Sequence, residues 1–165
     1  TLCRSIVGQQ ISVIAAQAVW ERIEKKIKCI KPQTIKDAHF MKLKSCGLSK
    51  QKIAYLKSLS NAFIQKKIQP QKWNDLENEK IIDELTQIKG IGRWTAEMFL
   101  IFNLCRPDIF PADDLGLIKG ICKCYNYKYP ISKEYAVKIS SKWKPWRSVA
   151  TWYLWRSLDP IPVEY

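Results

Sequence analysis

Leu85 to Lys119 reads LTQIKGIGRWTAEMFLIFNLCRPDIFPADDLGLIK, and the fold turns on how this stretch is read. Ile88-Lys89-Gly90-Ile91-Gly92 separates two apolar-periodic segments: Ile81, Leu85 and Ile88 before it, and Trp94, Met98, Ile101 and Cys105 after it. That spacing predicts helix, tight hairpin, helix. Glycine admits positive φ and lets the backbone come close to a ligand. A hairpin that opens into a helix start presents N–H groups suited to a phosphate. Beyond the second helix lie a Pro-bounded loop and two adjacent carboxylates, Asp113 and Asp114, at the head of another helical run. A hairpin that grips phosphate, followed by a placed acid, points to chemistry on a nucleic acid.

The totals agree. At 165 residues the chain is one domain or two small lobes, long enough to bury a core. Lys and Arg outnumber Asp and Glu 28 to 15, a net charge of +13 that attracts polyanions, although lysines such as Lys25, Lys26, Lys66 and Lys67 are also what a solvated surface carries. No apolar run approaches the roughly 20 residues of a spanning helix, and no signal peptide is visible, so membrane is not expected as the partner. Cysteines occur at 3, 29, 46, 105, 122 and 124; only Cys122 and Cys124 are close, and they lack the two-residue spacing of zinc sites. Free thiols in a reducing, intracellular compartment are expected. His39 reads as surface or local capping.

Outward from the hairpin, helical periodicity dominates. Ile6, Val13, Ala16, Trp20, Ile23 and Ile27 predict one apolar face running almost to Cys29, interrupted by the amides of Gly8-Gln9-Gln10-Ile11-Ser12. Those amides either tie the helix to its neighbours or fill the hole that an extruded nucleotide leaves in a duplex. Pro32 breaks the chain, with Thr34 and Asp37 at cap spacing. Ser49 caps a helix over Gln51–Lys67, in which Ile53, Leu56, Leu59 and Phe63 face inward and Lys52, Lys57, Lys66 and Lys67 are solvated. Asn74 and Glu77 form a capping box into the first hairpin helix. Ser132 caps Lys133–Trp143, and Pro145 sits in the first turn of a final helix carrying Trp146, Arg147, Val149, Trp152, Tyr153 and Trp155. Alternation occurs only at Tyr125–Tyr129, beside Pro130, and reads as a loop. The fold class is therefore all-α.

IKGIGRWTA and FPADDLGL, with GQQIS upstream and WKPWRSVATWYLW at the end, resemble the helix-hairpin-helix, Gly/Pro/Asp superfamily of DNA glycosylases, most closely the 3-methyladenine DNA glycosylase II family. The resemblance spans Leu2 to about Tyr165. It implies two helical lobes around a cleft, in one domain over 1–165 whose hairpin and catalytic loop occupy 79–119. Members of that family have more chain ahead of the first helix, so the segment reads as truncated at its N-terminus or as a short version.

By the same resemblance the catalytic carboxylate is the second of the pair, Asp114, three residues after Pro111, and helix capping is left to Asp113. Relatives that also cut the strand carry a lysine two residues after the second hairpin glycine. This chain has Trp94, which cannot form an imine, so a monofunctional enzyme is expected. Trp94, Trp155 and Met98 fall on base-pocket positions, Met98 where the family has a tyrosine, and Gln10 falls on the duplex-filling wedge. Trp20, Trp143 and Trp152 are assigned to the core. Expected DNA contacts are Gln9, Gln10, Lys89, Gly90, Gly92, Arg93 and Thr95. Arg147 is open to DNA or to an acidic partner that anchors the last helix. Main-chain carbonyls of Thr86, Ile88 and Ile91 are implied to hold structural Na+ or K+. No catalytic cofactor is expected, and no iron-sulfur cluster, because no cysteine follows Cys124.

The implied function is excision of alkylated purines, 3-methyladenine and 7-methylguanine, from double-stranded DNA by a monomer working intracellularly on the chromosome. Two rivals stand beside it. A non-catalytic helix-hairpin-helix module would need only the hairpin and the charge. A glycosylase for oxidised or mispaired bases is disfavoured by Trp94 and by the missing cluster cysteines.

Overall fold

A computed structural model describes residues 1–158; residues 159–165, the end of the matched span, lie outside the described residues. Every regular element among the described residues is helical, as the periodicity predicts. The chain divides into two compact units, the first Thr1–Ala96 and the second beginning at Glu97.

The first unit contains α1 (Leu2–Gly8), α2 (Val13–Ile27), α3 (Pro32–Asp37), α4 (Phe40–Lys44), α5 (Lys50–Ile64) and α6 (Asn78–Thr86), with a 3-10 segment at Pro70–Asp75. Helix α5 is its centre, packing on α1, α3 and α4. Its residues Ile53, Leu56 and Leu59 are buried as the sequence predicts, and the Ser49 hydroxyl accepts the Lys52 N–H at 3.1 Å to cap it. His39 caps α4 in the same manner, Nδ1 accepting from the Met41 N–H at 3.3 Å.

Four expectations in this unit are corrected. The first apolar face is not one helix: the chain breaks between α1 and α2, where Gln10 adopts φ 58° and Ser12 caps α2 by accepting the Ala15 N–H at 3.2 Å. A break resets the helical phase. Val13 and Ile14, on or near the face read through it, are 59% and 84% exposed, whereas Val19 and Ile23 are buried. Pro32 begins α3 rather than ending a segment, as suits a residue without an N–H at a first helical turn. Glu77, not Asn74, is the cap residue of α6, and Asn74 belongs to the 3-10 segment. Lys52 is not a solvated lysine: its Nζ donates to the Val7 carbonyl at 2.6 Å, at the end of α1 where the helix dipole favours a cation. Loss of water there lowers its pKa from the ordinary lysine value.

Helix α7 (Arg93–Phe102) carries the chain across the division. The second unit continues with α8 (Leu115–Cys124), α9 (Lys133–Ser140), a 3-10 turn at Ser141–Trp143 and α10 (Arg147–Leu158). Its core joins Leu117, Ile118, Ile121 and Cys122 of α8 to Ala136 and Ile139 of α9 and Leu154 of α10. Helices α8 and α10 approach closely at Gly120, where an added Cβ would lie 2.8 Å from the Leu154 carbonyl oxygen. The Ser132 cap of α9 is as predicted, its hydroxyl accepting the Tyr135 N–H at 3.2 Å. Pro145 precedes α10 instead of lying in its first turn. Trp143 packs half-buried on the unit's core. Trp152, however, is exposed, edge-on to Tyr153 with Arg156 over its ring, and Trp20 is half-buried with its indole N–H on Glu24 at 2.8 Å. The tryptophan fully in the core is Trp73, which periodicity did not single out because it lies in the irregular 3-10 segment.

Candidate active site and DNA-contacting hairpin

The hairpin closes through its own backbone: the Ile88 N–H donates to Leu85 O at 3.1 Å and the Ile91 N–H to Ile88 O at 3.0 Å. Gly90 sits at the turn with φ 98°, and a Cβ there would meet the Tyr55 ring at 2.2 Å. Backbone angle and packing each demand glycine at this position. Gly92 differs. Its φ is ordinary and an added Cβ would meet nothing within 4 Å, so no neighbour among the described residues requires its small size. Its carbonyl accepts the Ala96 N–H at 3.0 Å, which places it at the entrance to α7.

The residues expected around this turn divide. Lys89 and Gln10 are exposed. Gln9 is not turned outward: its Nε2 donates to Gly90 O at 2.9 Å, tying the α1–α2 loop to the hairpin. Arg93 forms a two-pronged pair with Glu79 of α6, at 2.7 and 3.0 Å. Both side chains are about half exposed or more, so this is a weak clamp between the hairpin helices that a phosphate can compete with. Thr95, expected at the DNA, is 7% exposed and belongs to the interior. A recess of about 350 Å³ opens beside the hairpin, lined among others by Gln10, Ser49, Gln51, Tyr55 and Gly92. A larger groove, about 870 Å³, runs past Lys57, Asn61 and Glu84 and touches Ile88 alone of the expected site residues; size does not mark the functional surface here.

The carbonyls assigned to a monovalent cation belong to the last residue of α6, Thr86, and to hairpin residues Ile88 and Ile91. The Ile88 oxygen already accepts one hydrogen bond and, as a carbonyl, has a second lone pair. Uncharged main-chain oxygens suit Na+ or K+, so the residues present fit such an ion. Among the described residues no group of three or more His, Cys, Asp or Glu side chains is placed to hold a metal.

In the second unit the cap assigned to Asp113 is held by Asp114 instead. Asp114 is the N-cap of α8, its Oδ1 accepting the Leu117 N–H at 2.6 Å. Asp113 instead meets Lys133 Nζ at 2.6 and 2.7 Å on the surface. Capping and catalysis are compatible, because a cap fixes a carboxylate and surrounds it with positive dipole ends. A second donor reaches the same Oδ1, the Trp155 indole N–H at 2.9 Å. The Trp155 ring is itself stacked on Phe102, with centroids 6.0 Å apart and planes 19° from parallel. Gly116 leaves room for this contact: a Cβ there would lie 3.1 Å from Asp114 Oδ1 and 3.5 Å from the Trp155 nitrogen. Trp94, in the first turn of α7, is 43% exposed, while Met98, one turn on, is 6% exposed and contributes to packing rather than to an open wall.

Behind the acid, Arg147 settles the choice left open for it. Its Nε and Nη2 donate to Asp108 at 2.6 and 2.9 Å, and its N–H adds a third contact at 3.3 Å. The Arg147 hydrogen bonds hold the Asp108 carboxyl below its ordinary pKa. Ser148 bridges the same segments, donating to Arg106 O at 2.6 Å and accepting the Ile109 N–H at 2.9 Å. The loop between α7 and α8 is thereby pinned to the start of α10. Tyr55, Phe102 and Gly116 are absent from the residues predicted for the site. Gly116 alone has a local sign, its place in DDLGL; the contacts of the other two join residues far apart in sequence.

The family model for the HhH-GPD superfamily of base excision DNA repair proteins matches residues 3–145, and the chain belongs to that superfamily. It is 40% identical over 160 residues to DNA-3-methyladenine glycosylase 1 of Schizosaccharomyces pombe, a match covering 94% of this chain and 70% of that protein. Among solved structures, the S. pombe 3-methyladenine DNA glycosylase in complex with abasic DNA superposes with TM-score 0.82 at 38% identity, covering 98% of this chain and 82% of the other. The DNA-3-methyladenine glycosidase of Bacillus halodurans does so with TM-score 0.89 at 33% identity, covering 96% and 74%.

Proposed function

We propose that this chain is a monofunctional DNA glycosylase of base excision repair, which hydrolyses the N-glycosidic bond of flipped-out alkylated purines, 3-methyladenine and 7-methylguanine, and leaves an abasic site. The observation that carries this reading is Asp114, a carboxylate fixed by two donors at the N-terminus of α8. Breaking the bond develops positive charge on C1′ and O4′ of the sugar. A fixed anion binds that state better than the neutral ground state. At an effective dielectric near 20 and a separation of about 4 Å the attraction is about 4 kcal/mol, or about a thousandfold in rate. Asp114 also orients the attacking water.

The rest of the machinery follows from what alkylation does to a purine. Methylation at N3 or N7 makes the base cationic, so it leaves without a dedicated acid, and an electron-rich indole prefers it to a neutral base by about 1–2 kcal/mol. The exposed Trp94 offers such a face. Gly90 and Gly92 with Lys89 hold a phosphate, and Gln10, exposed in the turn between α1 and α2, fills the duplex where the nucleotide has left. Thr86, Ile88 and Ile91 carbonyls would hold a monovalent cation that adds positive charge beside that phosphate. The site of action is the chromosome; among the described residues no helix is long and apolar enough to cross a membrane.

The test is incubation with duplex DNA carrying N3-methyladenine and N7-methylguanine, with free base measured. The wild-type chain releases base and leaves the strand uncut, while Asp114→Asn loses release by two to three orders of magnitude, as expected for removing an attraction of about 4 kcal/mol, and still binds abasic duplex. Equal turnover by Asp114→Asn overturns the assignment.

A further inference from the structure

Resting on the reading of Asp114 above, we infer that Trp155 is a positioning residue, which acts on the reaction by donating its indole N–H to the Asp114 carboxylate and not only by offering its ring to a base. Three features of the second unit converge on this bond. Asp114 Oδ1 receives two donors, the Leu117 N–H at 2.6 Å and the Trp155 N–H at 2.9 Å. The first comes from the helix that Asp114 itself caps and the second from α10, so that donors from two helices meet at one oxygen.

The donor is itself held. Stacking on Phe102 restrains the Trp155 ring, and the close approach of α8 and α10 at Gly120 brings α10 within reach. Gly116 is the third feature. It stands beside the bond where any side chain would press on Oδ1 and on the indole edge. The tryptophan thus sets the direction of the anion, which is what preorganised stabilisation of a developing charge requires.

Trp155→Phe keeps a ring that can lie on Phe102 and removes the donor. Its expected result is a 10- to 30-fold fall in the single-turnover rate of base release, with affinity for abasic duplex within twofold of wild type. The Asp114→Asn/Trp155→Phe double variant is no slower than Asp114→Asn, since a residue acting through another has no effect once that other is gone. Single-turnover release by Trp155→Phe within about threefold of wild type, or a double variant slowed further relative to Asp114→Asn, overturns the proposal and leaves the ring as a simple wall. Base release by Asp114→Asn at the wild-type rate would instead sink the reading of Asp114 itself, and the two failures are thus told apart. Should Trp155→Phe fail to fold, Gly116→Ala approaches the bond from the other side: its methyl displaces Oδ1 from the indole, and the same fall in release rate is expected, absent from the Asp114→Asn background, with a wild-type rate or an equal loss in both backgrounds counting against the proposal.

Discussion

Gly90 and Gly92 stand two residues apart in one hairpin and are glycine for opposite reasons. Gly90 answers to the protein: its φ is 98° and the Tyr55 ring occupies the place of a side chain. Gly90→Ala should therefore destabilise the first unit by about 2 kcal/mol or more, combining backbone strain with overpacking, and lower its thermal midpoint. Gly92 has open space around it among the described residues, which leaves the proposed phosphate contact as the reason for a glycine there. Gly92→Ala should leave the thermal midpoint within about 2 °C of wild type, the scale of a few tenths of a kcal/mol, and weaken binding to abasic duplex about tenfold in a fluorescence anisotropy titration, because a methyl at that point holds a phosphate away from the hairpin amides. Loss of stability by both variants alike would reduce the hairpin to a structural turn. The pattern of two glycines is visible in the sequence, but which one serves the fold and which the ligand is decided by Tyr55.

At the scale of elements, the loop that carries Asp114 depends on the pairing of Asp108 with Arg147. The pair is largely shielded, with about a quarter of each side chain exposed, and Arg147 depresses the Asp108 pKa. Because the folded-state pKa lies below the unfolded value of about 3.9, the pair contributes its stability in full above that value and loses it as pH falls through the depressed folded pKa. Asp108→Asn should accordingly lower stability at pH 7 by about 1–3 kcal/mol in urea unfolding, and the difference from wild type should shrink on acidification below pH 4. A difference that does not change with pH would show that shape, not charge, holds the α7–α8 loop to α10. Helix caps illustrate what is local at this scale. Ser49 and Ser132 cap where the sequence says they do, because a cap involves residues three apart. The break between α1 and α2 was written in Gly8 and in Ser12, yet the apolar spacing on either side of it mimicked one continuous helix, and only the observed turn at Gln10 shows the change of phase.

For the molecule as a whole, the net charge of +13 predicts binding that weakens steeply with salt. If the hairpin and its surrounding lysines neutralise about four phosphates, affinity for duplex should fall about 100-fold between 50 and 200 mM salt, whereas the unimolecular rate of base release from the bound state should barely change. Salt-insensitive affinity would remove phosphate anchoring from the account. The sequence by itself determined the helical class, the hairpin and the caps at Ser49 and Ser132, since each rests on spacing within a few residues or on a short motif, and local geometry is fixed by local covalent chain. It gave the cap of α8 to Asp113 where Asp114 holds it, placed the buried Thr95 at the DNA, and left Lys52 in solvent. Three polar residues meet partners distant in the chain: Lys133 for Asp113, Gly90 for Gln9, Val7 for Lys52. Which hydrogen-bonding group meets which is chosen by how helices pack, and neighbouring helices are brought together by burial of apolar area, a non-directional force that leaves no signature beside the polar residues it pairs.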